Sequence, residues 1–242
     1  MTEFYLNIDE ILEAASQIFP DPETADEEGL VASGGDLSVE MLVMAYCLGM
    51  FPWYSEGDPI LWWSPDPRMI FRPEKRKVSK SLMRTIENNT FSISFDTAFD
   101  KVIQKCAGIK RQGQNGTWIT KEMLLAYKEL HRAGYAHSVE AWQENKLVGG
   151  LYGLSIGRAF FGESMFHTKT DASKVALVLL VQLLQHWDFE LIDCQVTTAH
   201  LKRFGAREIP RKEFLKHLDP ATLETDRLGT WSEIFETLAG FT

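Results

Sequence analysis

Two apolar stretches hold polar residues where burial makes polarity costly. In Leu191-Ile192-Asp193-Cys194-Gln195-Val196 the side chains of a strand alternate, which puts Asp193 and Gln195 on one face and Ile192, Cys194 and Val196 on the other. An acid in an apolar strand is unfavourable unless it is paired or used. Burial also shifts its pKa, so Asp193 is a candidate base; the alternative is a carboxylate satisfied by backbone or by an arginine. The run Phe160-Phe-Gly-Glu-Ser-Met-Phe166 repeats the anomaly, with Glu163 placed directly after Gly162. Strict alternation groups Phe161, Glu163 and Met165, whereas a bulge at the glycine would regroup them. Trp53, Trp62, Trp63 and Trp118 lie in Pro/Gly-rich segments. Aromatic side chains on such loops either stack nucleobases or plug a domain interface.

Other chemistries find no support. The six histidines form neither an HExxH pair nor a Cys/His cluster, so no metal site is expected. P-loop and GxGxxG patterns are absent, and GGLYG at 149–153 reads as a closely packed strand. Cys47, Cys106 and Cys194, widely spaced, fit a reducing cytoplasm rather than a disulfide framework.

The elements that must position these residues follow from composition and pattern. The chain has 242 residues, 45% apolar and 24% charged, a globular composition that excludes disorder and coiled coil. Its apolar runs, Val175–Val181 among them, are too short to cross a membrane, and the N-terminal residues do not resemble a secretion signal. The net charge of −9 is unevenly spread: residues 1–67 hold 14 acids and no Lys or Arg, while residues 68–111 hold 11 basic residues against 4 acids. A basic middle of this kind suits a polyanion, or is simply a solvated face. Lys77, Lys80 and Arg84 share one face of a helix expected over about 79–88.

Residues 1–35 read as irregular, and a helix follows over about 38–48. The Pro/Trp-rich stretch 51–68 reads as the seam between a small N-terminal domain (1–67) and a main domain (68–242). A strand at 69–71, the basic helix, a strand at 91–95 and helices over about 97–106 and 120–134 come next. Then 137–142, 146–156 and 159–166 form a three-strand meander. A helix apolar nearly all round, capped by Asp171 or Ser173, leads into the 190–196 strand. Meander, buried helix and parallel strand make a mixed α/β arrangement.

GLVASGGDLS, AYCLGMFPWYSEGDPILWWSPDPR, GTWIT with AYKELHRAGYAHSVE, VGGLYG, FFGESMF, DASKVAL, LIDCQV and FGAREIPR occur here in one order, over about residues 28–217. In these motifs the chain closely resembles the bacterial leucyl/phenylalanyl-tRNA–protein transferase family. The resemblance implies a GNAT-type acyltransferase fold behind a small N-terminal domain. It implies a cytoplasmic, monomeric enzyme without cofactor or membrane contact. Its reaction would transfer Leu or Phe, and Met less well, from Leu-tRNA or Phe-tRNA to proteins with N-terminal Arg or Lys, marking them for degradation by the N-end rule pathway.

Carried over position by position, Asp193 and Gln195 resemble the catalytic pair and Glu163 the residue meeting the acceptor's Arg or Lys. Trp53 and Trp118 would hold the 3′-terminal adenosine. Leu151, Phe160, Met165, Leu180, Leu184 and Ile192 would line the aminoacyl side-chain pocket, with Leu at 180 and 184 where some members carry Phe. Lys75, Arg76, Lys77, Lys80 and Arg84 would contact the tRNA backbone. In the mechanism expected, Asp193 polarises Gln195, whose amide oxygen receives the proton of the attacking amine, and no acyl-enzyme forms. Two other readings share part of the pattern. An acyl-CoA N-acetyltransferase shares the layout, but the turn His167–Lys174 lacks the glycines that cradle a pyrophosphate. A non-catalytic tRNA-binding module would leave Glu163, Asp193 and Gln195 without a role.

Overall fold

The computed structural model describes residues 14–15, 17–109 and 119–232. Ser38 opens helix α1 (Val39–Cys47), its hydroxyl accepting the Met41 N–H, as a Ser cap should. Three short strands surround it: β1 (Leu30–Ser33), β2 (Phe51–Pro52) and β3 (Leu61–Trp63), in the order β1-β3-β2. This small sheet departs from the irregular start and strandless seam expected from the sequence. Strands of two to four residues broken by Pro and Gly carry no readable period, and Pro52 is tolerated because its strand is a minimal edge.

The main sheet has seven strands in the order β10-β4-β9-β8-β7-β6-β5. These are β4 (Arg68–Phe71), β5 (Ser92–Phe95), β6 (Ala136–Gln143), β7 (Lys146–Ile156), β8 (Ala159–His167), β9 (Leu191–Asp193) and β10 (Arg207–Ile209). The meander β6-β7-β8 is antiparallel, and β9 then returns parallel to β8. The crossover is helix α5, described below, as a parallel connection requires. The remaining helices are α2 (Lys80–Glu87), α3 (Phe99–Ala107), α4 (Lys121–Arg132), α5 (Ala172–His186), α6 (Ala199–Phe204) and α7 (Arg211–Thr222). The mixed α/β class and the order of meander, buried helix and parallel strand are those read from the sequence. Among the described residues no helix is long and apolar enough to cross a membrane.

Alternation divides the core into two layers. Ile70, Tyr152, Phe161 and Leu191 face α1, α3, α4 and α7. Met69, Phe71, Leu151, Phe160 and Ile192 face α5. The α5 backbone sits so close to β7 that a Cβ on Gly149 would lie 2.6 Å from the Ala172 Cβ, so the glycine there is required by the packing.

Two irregularities place the site. Tyr152 pairs with Ser164 but its neighbour Gly153 pairs with Gly162, so Glu163 is the extra residue of a β-bulge. The bulge overturns strict alternation: Phe161 stays on the α1/α4 side, while Met165 shifts to the α5 side with Phe160. The second irregularity is the short reach of the β8–β9 ladder, which covers only Ala159↔Leu191, Phe160↔Ile192 and Phe161↔Asp193. After Asp193 the chain stays tied to β4 instead, through Cys194 N–H to Met69 O at 2.9 Å and Met69 N–H to Gln195 O at 3.2 Å. The two parallel strands therefore part where Glu163 and Gln195 begin.

Candidate active site at the parting of the parallel strands

Asp193 is fully buried, as is Arg68 on the neighbouring strand β4. The arginine grips it with two hydrogen bonds, Nε to Oδ1 at 2.9 Å and Nη2 to Oδ2 at 2.7 Å. The guanidinium also lies over the rings of Phe51 (5.0 Å) and Phe214 (4.5 Å), a geometry that suits its weak hydration. Of the two readings open at the sequence level, the structure shows the carboxylate paired with an arginine. Arg68 had been counted only within the basic segment.

The expectation that Asp193 and Gln195 share one strand face does not hold. Strand β9 ends at Asp193, and Gln195 has φ +60°, in the left-handed region that non-glycine residues seldom occupy. That turn is held by the Gln195 N–H donating to Asp193 Oδ1 at 2.8 Å. Asp193 thus meets the main chain of Gln195 rather than its side-chain amide. The amide is oriented from across the gap, where Gln195 Nε2 donates to Glu163 Oε1 at 2.7 Å. The whole residue is 7% exposed.

Glu163 is half-buried and collects three donors: Gln195 Nε2, Tyr46 OH at 2.7 Å to Oε1 and Tyr127 OH at 3.1 Å to Oε2. The two tyrosines come from α1 and α4 and their hydroxyls lie 2.5 Å apart, either able to donate, so the three contacts among Tyr46, Tyr127 and Glu163 are all hydrogen bonds only when the carboxyl itself carries a proton. Burial pushes the Glu163 carboxyl up to about 7, the nearby Asp193 adding to the rise and the three hydrogen bonds restraining it. Burial also holds both tyrosine hydroxyls protonated, well above the usual phenol range. Neither tyrosine was singled out from the sequence. The signal available was weak: a hydroxyl in the last turn of the mostly apolar helix α1, and Tyr127 on the apolar stripe of α4. Cys194 is no nucleophile, because burial and then the charge of Asp193 push its thiol up.

A groove of about 450 Å³ is lined by Phe51, Trp53, Tyr54, Trp63 and Val196, the residue after Gln195, with the acids Glu28 and Asp58 among the rest. Trp53 is 42% exposed and lies 5.9 Å from the Trp63 ring, whose Nε1 donates to the Trp53 carbonyl. An exposed indole in a groove can stack a planar ring. Trp62 has the other fate weighed for these residues: it is buried and donates to Gly34 O. Trp118 lies outside the described residues.

On the opposite side of the sheet, Leu151, Phe160, Leu180, Leu184 and Ile192 are buried in one cluster, with the half-buried Met165 packed against it. Strand alternation, the bulge and the i, i+4 spacing of Leu180 and Leu184 on α5 bring these six together. Lys75, Lys77, Lys80 and Arg84 are exposed, and Arg76 is half-buried and hydrogen-bonded to Gln185 of α5. Leu82 anchors α2 in the α5-side core, leaving its basic residues facing out.

The model of the family "Leucyl/phenylalanyl-tRNA protein transferase" matches residues 70–219, and the model of that family's N-terminal domain matches residues 35–66. Among similar proteins, the leucyl/phenylalanyl-tRNA–protein transferase of Myxococcus xanthus is 56% identical over 217 residues, covering 90% of this chain and 93% of that one. The protein of the same name from Anaeromyxobacter sp. is 57% identical over 213 residues, covering 88% and 91%. The one from Syntrophobacter fumaroxidans is 59% identical over 198 residues, covering 82% and 85%. With matches of this length and identity laid over a site of this geometry, the chain belongs to the leucyl/phenylalanyl-tRNA protein transferase family of aminoacyltransferases.

Proposed function

We propose that this protein, acting as a cytoplasmic monomer, transfers Leu or Phe, and Met less well, from aminoacyl-tRNA to the α-amine of proteins that begin with Arg or Lys, marking them for degradation. The observation that carries the reading is the hydrogen bond from Gln195 to Glu163 across the gap between β8 and β9. Val196, the residue after Gln195, lines the Trp53 groove, and the register partners Phe160 and Ile192 of the two strands belong to the α5-side apolar cluster. An aminoacyl-adenosine fits this division: the adenine against Trp53 and the side chain among Leu151, Phe160, Met165, Leu180, Leu184 and Ile192.

The chemistry asked of the site is modest. The donor is an ester already activated on ribose, and the attacking α-amine has a reference pKa of about 7.7–8.0, so much of it is neutral near pH 7–8. Alignment and one well-placed acceptor contribute most. Gln195 Oε1 accepts from the amine N–H while Glu163, when ionised, takes the positive side chain of the acceptor. The amine nitrogen bonds to the ester carbon, the carbon–oxygen bond to ribose breaks, and the amine's proton leaves on the ribose oxygen. Asp193, sealed behind Arg68, touches no substrate; it is a positioning residue that holds Gln195 in its turn. Lys75, Arg76, Lys77, Lys80 and Arg84 supply phosphate contacts.

Acyl-CoA is a poorer donor for this site. The α5 N-cap is Asp171 rather than a glycine turn, and its carboxylate pairs with Lys174 at 2.6 Å, where a pyrophosphate would need free N–H groups and no negative charge. Radiolabelled Leu-tRNA and acetyl-CoA, each offered with an Arg-N-terminal peptide and an Ala-N-terminal control, separate the readings. Label should reach only the Arg peptide and only from Leu-tRNA. Acetyl transfer, or no transfer from Leu-tRNA, overturns the proposal.

A further inference from the structure

Beyond α7 the chain runs back along the main domain as a strap over residues 223–232, outside the stretch matched by the family models. The strap is fastened at three points. Gly157 N–H donates to Asp226 Oδ1 at 2.6 Å. Gly134, at φ +87°, approaches Gly229 so closely that a Cβ would fall 2.4 Å from the Gly229 nitrogen. Trp231 N–H donates to Asp96 Oδ2 at 2.8 Å, the same oxygen that meets His137 Nδ1 at 2.8 Å. Here Trp231 inserts its ring completely, at 0% exposure, into the α5-side core. The indole stacks on His137 at 3.7 Å, meets Trp187 edge-on at 5.0 Å and lies 6.2 Å from the ring of Phe160.

Phe160 has little freedom on its other side. A Cβ on Gly153 would fall 2.6 Å from the Phe160 ring, so that ring already occupies the space the glycine vacates on β7. The ring is therefore held between the Gly153 backbone and the Trp231 indole, with Ile192 as its register partner on β9. Interiors are close-packed, so one wall sets how far its neighbour can move.

We infer that Trp231 is a specificity-determining positioning residue: it fixes the Phe160 ring from behind and so sets the depth of the aminoacyl side-chain pocket. The inference rests on the proposed placement of that pocket. Trimming the indole lets Phe160 retreat and deepens the pocket, which favours the longer Phe side chain over Leu. A purely structural role would lower transfer of every aminoacyl group alike.

The test measures kcat/KM with Phe-tRNA and Leu-tRNA on the full chain carrying W231F, F160L or both, after thermal unfolding shows each variant folded; W231Y replaces W231F if the latter does not fold. The Phe:Leu ratio should rise about five- to tenfold in W231F, in line with what roughly one methylene's worth of space gives. It should rise in F160L, and W231F should add nothing in the F160L background. A shift in F160L without one in the Trp231 variants overturns this inference and leaves the pocket standing. No shift in F160L removes the pocket placement and the inference with it. Independent, additive shifts overturn the claim that Trp231 acts through Phe160.

Discussion

The two sides of the main sheet, where β8 and β9 part, are built from adjacent residues but do opposite work. On the α1/α4 side, Arg68, Asp193, Gln195, Glu163, Tyr46 and Tyr127 form one continuous chain of hydrogen bonds. On the α5 side, Phe160, Ile192, Leu180 and Leu184 form a closed apolar cluster. Phe160 and Phe161, or Ile192 and Asp193, differ by one step along a strand and so by one face of the sheet. The lesson is one of economy in construction: a single parallel strand pair contributes to both a buried polar network and an apolar wall. A buried polar network must be complete to be stable, whereas an apolar wall need only be the right volume. Changes on the polar side should therefore act on turnover and on folding, and changes on the apolar side on which amino acid is transferred.

The sharpest way to break this contrast is Arg68→Ala. It strands a buried carboxylate and should cost about 3–5 kcal/mol in chemical denaturation, a loss no exposed arginine would produce. Asp193→Ala breaks the same pair from the other side and should lower turnover far more than tRNA affinity. Gln195→Ala comes next. With the amine's acceptor gone, kcat should fall about 10²–10³-fold in single-turnover transfer while tRNA binding holds; equal turnover would move the chemistry elsewhere. On the apolar side, Leu184→Ala should cost about 2–5 kcal/mol by leaving a cavity, and it should change the Leu:Phe transfer ratio more than the rate with the preferred substrate.

The pH dependence is gentler. Glu163 is neutral below about 7, so affinity for an Arg-N-terminal peptide should fall by up to about tenfold per pH unit as pH drops below that value. It should level off above it, and Glu163→Gln should flatten the profile; a wild-type profile flat between pH 6 and 8 would take the acceptor cation away from Glu163. Smallest of all, Lys80→Ala should reduce the slope of log affinity for tRNA against log salt by about 0.7–0.9, one phosphate's share.

Asp193, Gln195 and Glu163 stood out in the sequence because each is polar within an apolar run, and the strands of Glu163 and Asp193 were readable from period, whereas the turn that carries Gln195 was read as more strand. Arg68 was hidden for the opposite reason: in a segment rich in basic residues, one more cation looks like part of a solvated field. Tyr46 and Tyr127 satisfied the apolar pattern of their helices, so their hydroxyls gave only a weak local signal. The small sheet escaped because its strands are too short for a period.

The sequence by itself determined which positions are anomalous, because that property depends on residue type and on the apolar run around it. Partnership and charge state were decided only by the tertiary structure. Arg68 and Asp193 stand 125 positions apart, and Tyr46 and Glu163 stand 117 apart. A carboxyl's pKa depends on the burial and donors brought around it, and the face a side chain takes after Gly162 depends on a one-residue bulge set by pairing with another strand.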